Sequence, residues 1–110
     1  MQARYVQLGD IVEYVPATDV AAGDVVVINN LIGVATRPIT AGTRGNIALA
    51  GVFEVVKDSA TVFNMGDLAY WDATNNKAVT TDGGGANKLL GKVIADAPAN
   101  TTTVRIRMTN

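Results

Sequence analysis

The sequence predicts an all-β fold: one small domain of about eight short strands, a barrel or a sandwich, joined by glycine and asparagine turns. Three observations carry this. Val (15), Ile (7) and Thr (12) make up close to a third of the 110 residues, and branching at Cβ suits a pleated strand better than a helix. Eleven Gly, nine Asn and eight Asp spread turn chemistry along the whole chain. No sustained run of apolar residues recurs at i, i+3, i+4 and i+7, so no helical stripe is available to build a core.

The elements follow in order. Tyr5-Val6-Gln7-Leu8 reads as a short strand or arm that stops at Gly9-Asp10; residues 1–8 are taken as an extended arm and 9–110 as a single β domain. Ile11-Val12-Glu13-Tyr14-Val15 is a strand ended by Pro16, which cannot donate to a ladder. Asp24-Val25-Val26-Val27-Ile28 and Leu31-Ile32-Gly33-Val34-Ala35 flank Asn29-Asn30, a hairpin signal because Asn tolerates positive φ. After a turn-rich connection, residues 46–56 read as one long apolar strand with Gly51 a bulge or close-approach point. Asp67-Leu68-Ala69-Tyr70-Trp71 and Lys77-Ala78-Val79-Thr80 form a second hairpin. Residues 82–87 read as a flexible glycine-rich tip and 89–95 as a strand. The last strand alternates most cleanly, Val104, Ile106 and Met108 against Arg105, Arg107 and Thr109, as a sheet with one dry and one wet face demands.

Composition narrows function sharply. With 48% apolar and 17% charged residues the chain can bury a core and is not disordered. Its longest apolar stretch, seven residues from Ile47, falls far short of the ~18 that span a bilayer, and no secretory signal is read behind Arg4. The absence of Cys excludes disulfides and thiolate metal sites. The absence of His removes the commonest general base and metal ligand. A net charge of −1 argues against nucleic-acid binding by phosphate neutralisation.

Candidate chemistry is correspondingly thin. Asp58-Ser59 reads as a loop cap, since no His can activate the hydroxyl. Glu13 and Glu54, the two glutamates, fit outward strand positions better than a glycosidase pair. Gly83-Gly84-Gly85 lacks the lysine and following helix of a phosphate loop. The phrase Gly-Asp recurs before apolar strands at Gly9-Asp10, Gly23-Asp24 and Gly66-Asp67. It reads as reused turn geometry, Gly supplying φ and Asp accepting backbone N–H bonds, ahead of a Ca²⁺ site whose ligand spacing is missing. Tyr70-Trp71 reads as core and hairpin packing, with a glycan-stacking platform the sharper alternative. Arg105 and Arg107 are a basic doublet that solvates a face or guards an edge, an interface being the second reading. No enzyme, cofactor, metal or small-molecule substrate is expected.

Taken in order, Tyr5-Val6-Gln7-Leu8-Gly9-Asp10, Ala22-Gly23-Asp24-Val25-Val26, Ile32-Gly33-Val34-Ala35, Ala41-Gly42, Gly51-Val52-Phe53-Glu54-Val55, Gly66-Asp67-Leu68-Ala69-Tyr70-Trp71-Asp72 and Leu90-Gly91 resemble the capsid cement (decoration) proteins of tailed bacteriophages over nearly the whole chain. The departures are the glycine-rich 82–87 segment and Lys57-Asp58-Ser59, where a proline is often expected. The resemblance implies a virion structural protein on the outer capsid surface, a homotrimer clamping neighbouring major capsid subunits. It implies no nucleic-acid, membrane or catalytic role. The family offers no binding motif to carry over. The expected contact residues therefore rest on pattern alone: Arg4, Tyr5, Val6, Gln7 and Leu8 of the arm, which could add a strand to a neighbouring sheet edge, and the tip residues Gly83, Gly84 and Gly85. A small β module binding a glycan, tail or host-surface partner is the alternative.

Overall fold

The β-branched runs pair into two antiparallel sheets. The structure, a computed structural model, describes residues 2–7 and 9–109. Among these residues nine strands form: β1 (Ile11–Tyr14), β2 (Val25–Ile28), β3 (Leu31–Ala35), β4 (Gly45–Ala48), β5 (Ala50–Val56), β6 (Leu68–Asp72), β7 (Lys77–Val79), β8 (Lys88–Val93) and β9 (Thr103–Thr109). One sheet has the order β1-β4-β3-β2 and the other β5-β9-β8-β6-β7. An odd number of antiparallel strands leaves β5 and β7 pointing the same way. The five-stranded sheet curls until Lys57, just past β5, meets Ala78 of β7 in a parallel bridge. Neither sheet closes into a barrel, so barrel or sandwich describes the architecture only loosely.

The expected single strand over 46–56 is two strands in different sheets. The chain leaves β4 at Ala48, buries Leu49, and enters β5 at Ala50; the Leu49 amide donates to the Asp10 carbonyl at 2.7 Å. Both halves are apolar because each lines a core, but the cores differ. Ile47 and Leu49 belong to a small cluster with Val26, Ala35 and Ile39. Val55 belongs to the main one with Ile32, Phe63, Trp71, Leu90, Val104, Ile106 and Met108. Each fully buried large side chain contributes about 1.5–3 kcal/mol. The alternation expected of the last strand is observed: Val104, Ile106 and Met108 are buried while Arg105 and Arg107 are exposed.

Turn residues do what their chemistry allows. Asn29 takes φ 54 between β2 and β3, and Asn76 takes φ 55 between β6 and β7. The true close-approach glycine is Gly91 of β8, where a Cβ would sit 2.0 Å from the Arg107 carbonyl oxygen. Opposite it, the β6–β8 register shifts between Ala69 and Tyr70, so the sheet bends over a spot that admits no side chain.

Candidate functional site

The arm reaches into solvent. Residues 2–7 are exposed, with Tyr5 at 77% and Val6 at 76% of their full accessibility. They form no strand, and they lead toward β1, an edge strand of the four-stranded sheet. Arg4, Tyr5, Val6 and Gln7 thus share one exposed segment; Leu8, the fifth residue expected there, lies outside the described residues. Two exposed apolar side chains on a segment outside both sheets suit strand addition to a partner.

The glycine tip is built differently from the expected loose loop. Gly83–Gly85 make one 3₁₀ turn between β7 and β8, with Gly84 at φ 72. The Asp82 carboxylate accepts from the Gly84 amide at 3.1 Å, and its carbonyl accepts from Gly85 and Asn87 at 3.0 and 2.9 Å. Arm and tip therefore belong to different sheets, and the tip's backbone is tied to its own cap.

Two of the three Gly-Asp phrases, at Gly23-Asp24 and Gly66-Asp67, fold as their chemistry requires. Asp24 donates its amide to the Ala21 carbonyl at 3.1 Å and accepts the Ala21 amide on its carboxylate at 2.9 Å. Asp67 repeats this with Asn64 at 3.0 and 2.8 Å. Gly23 and Gly66 between them have φ 88 and 94, the third-position conformation of a type II turn. These carboxylates are engaged by backbone, on separate turns. Among the described residues no three acidic groups gather as a metal site would need.

Tyr70 and Trp71 do not form a stacking platform. Adjacent strand residues face opposite sides: Trp71 is buried in the main core, and Tyr70 is half-buried on the outer face. The glutamates are likewise apart. Glu13 lies 3.6 Å from Arg44 with both side chains exposed, and Glu54 accepts from the Thr103 hydroxyl at 3.2 Å on the other sheet. Asp58 pairs with Lys77, while its carbonyl caps a turn by accepting from the Thr61 amide at 3.1 Å.

Lys57 is the feature that sequence reasoning missed. Only 2% exposed, its ammonium donates to the carbonyls of Thr61 at 2.7 Å, Thr101 at 2.8 Å, Asp58 at 3.1 Å and Pro98 at 3.4 Å. A buried ammonium is tolerable only when its N–H groups are satisfied. Here the backbone does it, joining two loops. Read from sequence, a lysine after an apolar strand passes as solvated; the loop that supplies two of the carbonyls comes some forty residues later.

A cleft of about 520 Å³ is lined by Ile11, Arg37, Arg44, Asn46 and neighbours, with neither carboxylate nor hydroxyl paired to a base. Among the described residues no buried side-chain nitrogen or oxygen lacks a hydrogen-bond partner.

No curated protein and no solved structure gives a significant match to this chain. A family model described as phage cement protein matches residues 6–108, that is, both sheets and every turn described above. On that match the chain belongs to the phage cement protein family, whose role is structural and capsid-associated.

Proposed function

We propose that this protein binds the outer surface of the expanded phage capsid and stabilises it by clamping neighbouring major capsid subunits, without catalysing any reaction. The observation that carries the reading is the family match across residues 6–108. The structure supports it physically. Polar groups are spent on turns and on the Lys57 cage, giving a preformed body. The exposed Arg4-Tyr5-Val6-Gln7 segment offers an extended stretch outside both sheets and two apolar side chains to a partner's sheet edge.

A domain of this size offers roughly 800 Å² per partner. If three copies act together, each engagement raises the effective concentration of the next to about millimolar, so modest contacts sum to a firm clamp. The arm is the first contact and the Gly83-Gly84-Gly85 tip the second. The near-neutral charge of −1 lets many copies crowd one shell.

Co-sedimentation of purified protein with emptied shells tests this. The protein pellets with expanded shells and stays in solution with compact precursors, and removal of residues 2–8 weakens the pelleting. Equal binding to both shell forms would sink the expansion-specific reading. Mass measurement on the free protein and on the shell-bound protein tests the trimer.

A further inference from the structure

The outer face of the five-stranded sheet carries a cationic row that the fold does not neutralise. Strand register places Val52 of β5, Arg107 of β9, Lys92 of β8 and Leu68 of β6 side by side in one line across the sheet. All four are exposed. Lys92 and Arg107 are direct cross-strand partners, and like charges in that position repel. Arg105, two residues along the same face, adds a third cation and lies opposite Glu54.

Among the described residues no carboxylate forms an ion pair with Lys92, Arg107 or Arg105. Asp67 and Asp96 are committed to the backbone amides of Asn64 and Met65 at 2.8 and 2.7 Å. Glu54 is held by the Thr103 hydroxyl. The ion pairs found among the described residues, Arg44–Glu13 and Lys77–Asp58, involve none of the three cations. In a protein of net charge −1, a cation pair held face to face with apolar residues at both ends of its row is complementary to an acidic strip with apolar flanks.

We infer that this face docks an acidic, apolar-flanked surface of the capsid protein, a contact separate from the arm; the inference rests on the cement reading. Docking places carboxylates over Lys92 and Arg107 and covers Val52 and Leu68. The cross-strand repulsion is thereby turned into binding strength that salt weakens.

The test uses Lys92→Glu, Arg107→Glu and, as an equal charge change on the other half of the molecule, Arg37→Glu. Either β8 or β9 variant replaces a repelling pair with an attracting one, so its melting temperature holds or rises, and misfolding cannot masquerade as lost docking. The expected result is a fall of about tenfold or more in affinity for expanded shells for both, with Arg37→Glu unchanged. Wild-type binding weakens from about 50 to about 300 mM salt, and the variants lose most of that dependence. Overturning results are wild-type-like affinity and salt dependence in both variants, or a changed mass of the free protein, which would make the face a contact between copies. If the wild type binds no shell at any salt, the cement reading itself falls, a distinguishable outcome.

Discussion

The Lys57 ammonium donates to the Thr101 carbonyl at 2.8 Å, tying the end of β5 to a loop 44 residues later in the chain. Three further carbonyls complete the cage, and no carboxylate takes part. Hydrogen bonds to a charged donor are worth about 1.5–3 kcal/mol, and stranded buried carbonyls add a desolvation cost. Lys57→Met keeps the aliphatic volume and removes the donor. The expected loss is about 2–4 kcal/mol by urea unfolding; an unchanged midpoint would show that the cage contributes nothing.

Gly91 and Gly66 make a paired prediction about two kinds of glycine. A Cβ at Gly91 meets the Arg107 carbonyl at 2.0 Å, whereas at Gly66, φ 94, nothing lies within 4 Å. Gly66→Ala therefore meets only backbone strain, about 1 kcal/mol. Gly91→Ala must push β8 off β9 and costs about 3 kcal/mol or more. Thermal melts of the two variants give the ranking, and a reversed order would contradict the described register.

Trp71 reports on the main core. Its burial predicts blue-shifted emission in the native protein that moves red on unfolding, and emission unchanged by added sugars. Trp71→Ala is expected to cost about 3–5 kcal/mol. Saturable quenching by a glycan in folded protein would restore the stacking-platform alternative.

Asp72 gives a pH dependence of definite sign. The Asn75 side-chain amide has the largest influence and lowers its pKa from the ordinary carboxylate value; desolvation opposes it, and the Asn75 and Thr74 backbone amides lower it further. A carboxylate depressed on folding contributes stability that is present above its unfolded pKa and lost as pH falls through the folded one. Asp72→Ala should therefore lower the melting temperature at pH 7 and narrow its gap from wild type as the pH falls through the depressed carboxylate range. A gap that widens in acid would contradict the hairpin geometry.

How much was legible in the sequence depends on whether the signal was local. Val104, Ile106 and Met108 announce a half-buried strand because period two is written along the chain. The Gly-Asp turns at Asp24 and Asp67 are legible for the same reason, the two bonds that close each turn lying within four residues. The break at Leu49 is not, because the apolar run continues unbroken while its two halves enter different cores. Nor is the Lys57 cage, two of whose acceptors, Pro98 and Thr101, come from a loop some forty residues later. Arg105 and Arg107 were visible as a doublet, but β9 is an interior strand rather than an edge, and their juxtaposition with Lys92 exists only once register is known. Of the expected contact residues, Arg4, Tyr5, Val6 and Gln7 are exposed, while the glycine tip is a capped 3₁₀ turn.

The central claim is that bound copies hold capsid subunits together, and calorimetry of expanded shells tests it most directly. Shells saturated with the protein should melt at a higher temperature than bare shells, with the gain diminished when residues 2–8 are removed. An identical melting temperature for bare and fully decorated shells would contradict it.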